Sequence, residues 1–196
     1  IELSNGKSVD DAINEMLYND NVNTNNSTIK TYIDNWYHDN LISYENYIDD
    51  SIYCNNRSQS NQTTNGWYYN GGSVRESISF VSSSPISINC TNETDRFSVS
   101  NNKAKLIYPI GMPTYEEMSM LGNSHIYRIN KEYWLNSPDE SSTTFVFMRY
   151  VDQLGQTGVS TTPPQELGVR PVISLKPGTE YKTGNGSKDN PYYVGE

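Results

Sequence analysis

Covalent catalysis by serine or cysteine needs a base, nearly always histidine, oriented by a third group. The chain has two histidines, His38 and His125, and two cysteines, Cys54 and Cys90. His38 falls on a stretch of helical aromatic period, and His125 in a loop where solvent exposure is expected. No Gly-x-Ser-x-Gly elbow accompanies either. Glycoside hydrolysis needs a pair of carboxyl groups flanking the scissile bond. Glu116, Glu117, Asp139, Glu140 and Glu166 are the candidates. Glu116 and Glu117 are adjacent and so point to different helix faces, while the others lie in polar loops. Solvated surface charge is the expected role of all five, and no catalytic residue is assigned.

Metal chemistry finds few ligands. A structural zinc takes four Cys or His ligands at close spacing, and here two of each are dispersed along the chain. Calcium needs several hard oxygens converging from one loop. Asp189-Asn190 and Asp139-Glu140 offer two apiece. No cofactor and no essential metal site are expected, with a structurally bridging calcium left open.

Cys54 and Cys90 each sit among polar turn formers, without Cys-x-x-Cys spacing and without a nearby histidine. One disulfide closing a loop of about 35 residues is the expected arrangement, and two buried thiols are the alternative. A disulfide implies an oxidising compartment. The opening residues, Ile1-Glu2-Leu3-Ser4-Asn5-Gly6, lack the basic and apolar regions of a signal peptide. A secreted protein would then be represented here by its mature or trimmed form.

Charge narrows the partners. The net charge is −9 and the 14 basic residues are scattered, so the clustered cations that release counterions from nucleic acid are missing. No apolar run approaches the roughly 20 residues of a membrane span. Only 34% of the residues are apolar and the mean hydropathy is −0.73. Much core area must come from the 16 tyrosines and 3 tryptophans, each burying roughly 150–250 Å².

The elements that would position these groups follow from pattern. Ser8 caps a first helix with Asp10 and Asp11 in its first turn and Ala12, Ile13, Met16 and Leu17 as its stripe. Ser27 or Thr28 caps a second, whose Ile29, Tyr32, Ile33, Trp36 and Tyr37 repeat at i, i+3, i+4, i+7 and i+8 and are expected in the core. Residues 51–100 lose this period and predict short strands with long loops. Within them Trp67-Tyr68-Tyr69 lies beside glycines. The cluster can stack on a sugar ring or plug the core, the plug being favoured.

Residues 106–111 read as a strand. Thr114 and Glu117 form a capping box for a short helix through Met118 and Leu121, ended by Gly122. A strand over 133–138 precedes a polar loop at 139–144. A buried strand over 145–151 leads into a hairpin marked by Gly155 and Gly158, then a rigid loop at Thr161-Thr162-Pro163-Pro164. The 168–175 stretch predicts a last core strand. There the Arg170 stem lies on apolar surface and its guanidinium meets a fixed acceptor.

Tyr133-Trp134-Leu135-Asn136-Ser137-Pro138 and Gly168-Val169-Arg170-Pro171-Val172-Ile173-Ser174-Leu175 resemble the closing strands of the C-type-lectin-like fold, in the broad group that includes formylglycine-generating enzymes. More closely, with Tyr108-Pro109-Ile110-Gly111-Met112 and Pro191-Tyr192-Tyr193-Val194, they resemble uncharacterised secreted or surface proteins of low-GC Gram-positive bacteria. The resemblance implies a terminal hairpin in the tail. It carries over no catalysis: the copper-binding cysteine pair of those enzymes has no counterpart beyond Cys90. The three histidines of the related iron sulfoxide synthases cannot be drawn from two.

The expected protein is therefore α+β. It has a helical segment over 1–50 packed on a C-type-lectin-like domain over 51–196, built of small twisted antiparallel sheets and long loops. Its expected function is non-enzymatic: an extracellular, surface-displayed binding module recognising a host or cell-surface protein or glycan. The loops expected to carry it are Trp67, Tyr68 and Tyr69 and the 152–166 segment with Gln153, Gln156 and Glu166. Trp134 and Arg170 are expected to be structural. The alternative is a subunit or tip domain of a pilus or larger adhesin, self-assembling into a surface filament.

Overall fold

Ser27 accepts a hydrogen bond from the Lys30 amide at 3.1 Å and so starts helix α1, Thr28–Leu41, satisfying one of the four orphan donors of its first turn. The computed structural model describes residues 26–54, 63–65, 76–79, 88–90, 92–121, 129–141, 146–160, 166–187 and 189–194. The expected first helix, Trp67-Tyr68-Tyr69, Gly122, His125 and the 161–164 loop lie outside them. Ile33 and Tyr37 of α1 are buried, but Tyr32 is 60% exposed and Trp36 38%. The five-residue stripe is thus narrower than its period suggests. Only the row through Ile33, Tyr37 and Leu41 meets a partner surface, while Lys30 and Asp34 pair beside it.

A 3-10 turn, Ile42–Tyr47, leads into β1, Ile48–Asp49, and β2, Tyr53–Cys54. Then come β3, Thr63–Asn65, β4, Glu76–Ser79, and β5, Arg96–Phe97. Helix α2 is Tyr115–Met120. It is followed by β6, Tyr133–Ser141, β7, Val146–Val151, β8, Thr157–Ser160, β9, Ser174–Leu175, β10, Tyr181–Thr183, and β11, Tyr193–Val194. Five strands make one antiparallel sheet in the order β3-β4-β6-β7-β8. The rest form antiparallel pairs, β1 with β9, β2 with β5 and β10 with β11. The chain is α+β, with small antiparallel sheets and few helices among the described residues.

Two expectations change. Strand β6 does not stop at Pro138 to give a polar loop. It continues to Ser141, with register shifts on both sides of Pro138, because a residue without an N–H is tolerated in a ladder where pairing is already interrupted. The 168–175 stretch is not one strand either. Gly168 bridges Tyr133 in parallel, Val172 bridges Gly111 in antiparallel, and only Ser174–Leu175 form a strand, against β1. Pro171 breaks the run, and each side of it reaches a different partner. Residues 106–111 are likewise irregular, with only Gly111 bridged.

These stitches hold two cores together. Met118, Tyr133, Leu135 and Val151 pack between α2 and the five-stranded sheet, with Tyr115 against them. Ile33, Tyr37, Ile48 and Ile110 pack beneath α1, joined by Tyr108, Met112, Val169 and Ile173. The Tyr37 and Tyr108 rings stack at 4.8 Å. Cys54 and Cys90 form the expected disulfide, Cα atoms 5.7 Å apart, tying β2 to the segment ahead of β5. Asp50 secures the same region by accepting from the Val99 and Ser100 amides at 2.6 and 2.9 Å. Among the described residues no helix is long and apolar enough to cross a membrane.

Candidate binding surface

The capping box forms as the sequence predicts. Thr114 Oγ1 accepts from the Glu117 amide at 3.2 Å, and the Glu117 carboxylate accepts from the Thr114 amide at 2.8 Å. Glu116, expected in solvent, is buried. Its carboxylate accepts from Ser137 Oγ at 3.3 Å, and that hydroxyl accepts from the Tyr115 amide at 2.9 Å. The first turn of α2 presses onto β6, which local spacing could not foretell. Asp139 is also no loop residue. It lies in β6 and pairs with Arg149, whose guanidinium sits 4.4 Å from the Tyr115 ring centroid. Three of the five candidate carboxylates are thereby used in holding α2 and the sheet.

Gln153 and Gln156 sit in the turn between β7 and β8. Asp152 organises that turn, its Oδ1 accepting from the Leu154 and Gln156 amides, both at 2.8 Å. Gly155 takes the left-handed conformation there, φ 82°, as the hairpin reading requires. Gln153, Gln156 and the more distant Glu166 are all exposed, and no described contact brings the three into one site. His38 is exposed, with Nδ1 3.0 Å from Asp39 Oδ1.

Arg170 donates from Nη1 to the Tyr133 hydroxyl at 3.3 Å and lies over the Tyr133 ring, Cζ 5.4 Å from its centroid. Trp134 is half-buried, and its amide donates to the Gly168 carbonyl at 3.0 Å. Across the sheet it faces Tyr150, which faces Gly158. A Cβ on Gly158 would fall 2.8 Å from the Tyr150 ring, so the glycine gives that ring its seat. The Trp134 backbone and the Arg170 side chain are thus each engaged by residues distant in sequence.

The aromatic surface that the sequence did not single out is the β10–β11 hairpin. Tyr181, Tyr192 and Tyr193 are 61%, 54% and 60% exposed. The Tyr181 and Tyr192 rings meet at 4.7 Å between centroids, tilted by 52°. Tyr192 lies over Gly186, where a Cβ would approach its Cε2 to 2.7 Å. The connecting turn is tied by its own polar groups. The Asn185 amide donates to the Asn190 carbonyl at 3.0 Å, the Ser187 amide to Asn185 Oδ1 at 3.0 Å, and the Asn190 amide to Ser187 Oγ at 3.2 Å. A signal was present: three tyrosines flank a turn rich in glycine, asparagine and serine, with Val194 as the one aliphatic residue of the two strands.

Among the described residues no group of three or more His, Cys, Asp or Glu side chains could hold a metal ion. Comparison with protein-family models finds no match, and neither a curated protein nor a solved structure matches the chain.

Proposed function

We propose that this chain is an extracellular or cell-surface binding module, without catalytic activity of its own, that recognises a protein or glycan from a C-type-lectin-like scaffold. The observation that carries the reading is the set of exposed tyrosines on the β10–β11 hairpin. Tyrosine offers large, stiff, amphipathic contact area at low entropic cost, while serine, glycine and asparagine supply adaptable hydrogen bonds. The hairpin has that composition. The disulfide supports an oxidising compartment. The engagement of Glu116, Glu117 and Asp139 in packing contacts supports a non-catalytic role. Small antiparallel sheets carrying long connections support the lectin-like scaffold.

The test is retention of the full chain on beads coated with mucin, chitin or mannan, compared with a Tyr181→Ser/Tyr192→Ser/Tyr193→Ser variant of unchanged melting temperature. Retention lost in the variant supports the module. Absence of retention on every surface, or equal retention of both proteins, ends it.

A second reading, a subunit of a surface filament or adhesin, is favoured by one feature. Among the described residues strand β8 stands at an edge of the five-stranded sheet, and an open edge is a template for strand addition. Size-exclusion chromatography and electron microscopy of concentrated protein decide it, since a chain that stays monomeric at all concentrations is no polymerising subunit.

A further inference from the structure

We infer that the Tyr181–Tyr192 pair and the turn beside it form a site for an uncharged oligosaccharide. The inference rests on the binding-module reading and names the ligand class at its surface. Three features of the hairpin converge on it.

The first is the rings. Gly186 supports Tyr192 from one side and Tyr181 meets it at 4.7 Å, so the ring is held in place while more than half of its surface stays open to solvent. A pyranose presents a face of C–H bonds that packs on such a ring, with hydroxyls around its rim. Holding the ring in advance removes part of the ordering cost of binding.

The second is the rim. Asn185, Ser187 and Asn190 are exposed beside the rings. Their backbone groups are fixed by the turn's own bonds, and an asparagine amide carries both donors and acceptors. Sugar hydroxyls, which also donate and accept, match that set.

The third is what the hairpin lacks. Apart from Val194, which is half-buried and pairs with Tyr181 across the strands, residues 179–194 contain no Leu, Ile, Val, Met or Phe. The extended apolar face of an obligate protein interface is therefore missing. Its charges are Glu180 and Asp189 against Lys182 and Lys188, two of each sign, so no net local field draws a charged ligand. Flat rings, amides and balanced charge match a neutral sugar and disfavour an anion.

The experiment uses the full, disulfide-bonded chain on mucin-coated beads that are untreated, periodate-oxidised or protease-treated, with chitin and mannan beads alongside. Periodate cleaves vicinal diols and spares the polypeptide. The expected result is retention abolished by periodate. Tyr192→Ala weakens it by about tenfold or more, equivalent to about 1.4 kcal/mol. Tyr192→Phe, which keeps the ring, and Tyr32→Ala, an exposed ring on α1, retain it. Retention that survives periodate and is lost on protease treatment identifies a protein ligand, which overturns the sugar while leaving the module standing. Retention that ignores Tyr192 overturns the site. No retention on any bead overturns both readings.

Discussion

Arg170 caps Tyr133, the largest fully buried side chain of the α2 core among the described residues: Nη1 donates to the hydroxyl at 3.3 Å and the guanidinium lies over the ring. Its chain neighbours Val169 and Ile173 belong to the other core, beneath α1. One short segment therefore fastens both cores, with an arginine on one side and aliphatic side chains on the other. Arg170→Ala should cost about 2 kcal/mol, from a lost hydrogen bond and cation–π contact. Arg170→Lys should restore little of it, because an ammonium cannot stack as a planar guanidinium does. Urea midpoints of the three proteins check this, and a lysine variant as stable as the parent contradicts it.

Gly111 is a position where any side chain collides. Both its amide and its carbonyl are bonded to Val172, at 3.0 and 2.9 Å, and a Cβ would fall 2.5 Å from Tyr53 Cδ1. The Tyr53 ring cannot swing aside freely, since its hydroxyl donates to the Pro109 carbonyl at 2.9 Å. Gly111→Ala should destabilise by about 1–3 kcal/mol through overpacking. Gly178→Ala isolates the backbone term, because nothing lies within 4 Å of its Cβ position and its φ is +82°. It should cost about 1–2 kcal/mol and leave the Tyr53 environment unchanged by NMR. Equal chemical shifts for Tyr53 in the parent and in Gly111→Ala would count against the clash.

The features legible in the sequence are those that a few neighbouring residues decide. Ser27 and the Thr114–Glu117 box cap their helices because a cap needs only a side chain and an amide two or three positions on. Gly155 marks its turn for the same local reason. Helical period gave the α1 stripe but not its width, since the partners Tyr108, Ile110, Val169 and Ile173 lie far along the chain. Glu116 reads as solvated until β6 brings Ser137 against it. The 168–175 stretch is visibly structural, yet its three partners, Tyr133, Gly111 and β1, are set by tertiary contacts around Pro171. The terminal hairpin is implied by the resemblance and forms as β10–β11, but its exposed tyrosine face escaped because two- and three-residue strands are too short to show alternation.

The disulfide should supply a large share of the stability of the region around β2 and β5. It spans a sequence separation of 36, which in the chain-entropy view corresponds to about 4 kcal/mol. β2 and β5 are two residues each and cannot hold one another alone. A Cys54→Ser/Cys90→Ser variant should melt well below the parent, and the parent in reductant should approach the variant. A melting temperature unmoved by reduction, with the free thiols confirmed by mass, goes against this share.

Tyr53 should also make stability fall in alkali. Burial is the main cause that pushes its hydroxyl up to about 12 from the usual 10.0. Below pH 10 both folded and unfolded chains keep the proton, and the residue has no pH-dependent effect. Between about 10 and 12 the unfolded chain loses it while the folded chain retains it, so stability declines by about 1.4 kcal/mol per pH unit for this group. Tyr53→Phe removes that slope. It also loses the bond to Pro109, which lowers stability by about 1 kcal/mol at every pH below the window. Urea midpoints of parent and variant from pH 8 to 11 should therefore differ at pH 8 and converge as pH rises past 10. Parallel curves across that range would show that Tyr53 ionises as readily in the folded protein as in the unfolded chain.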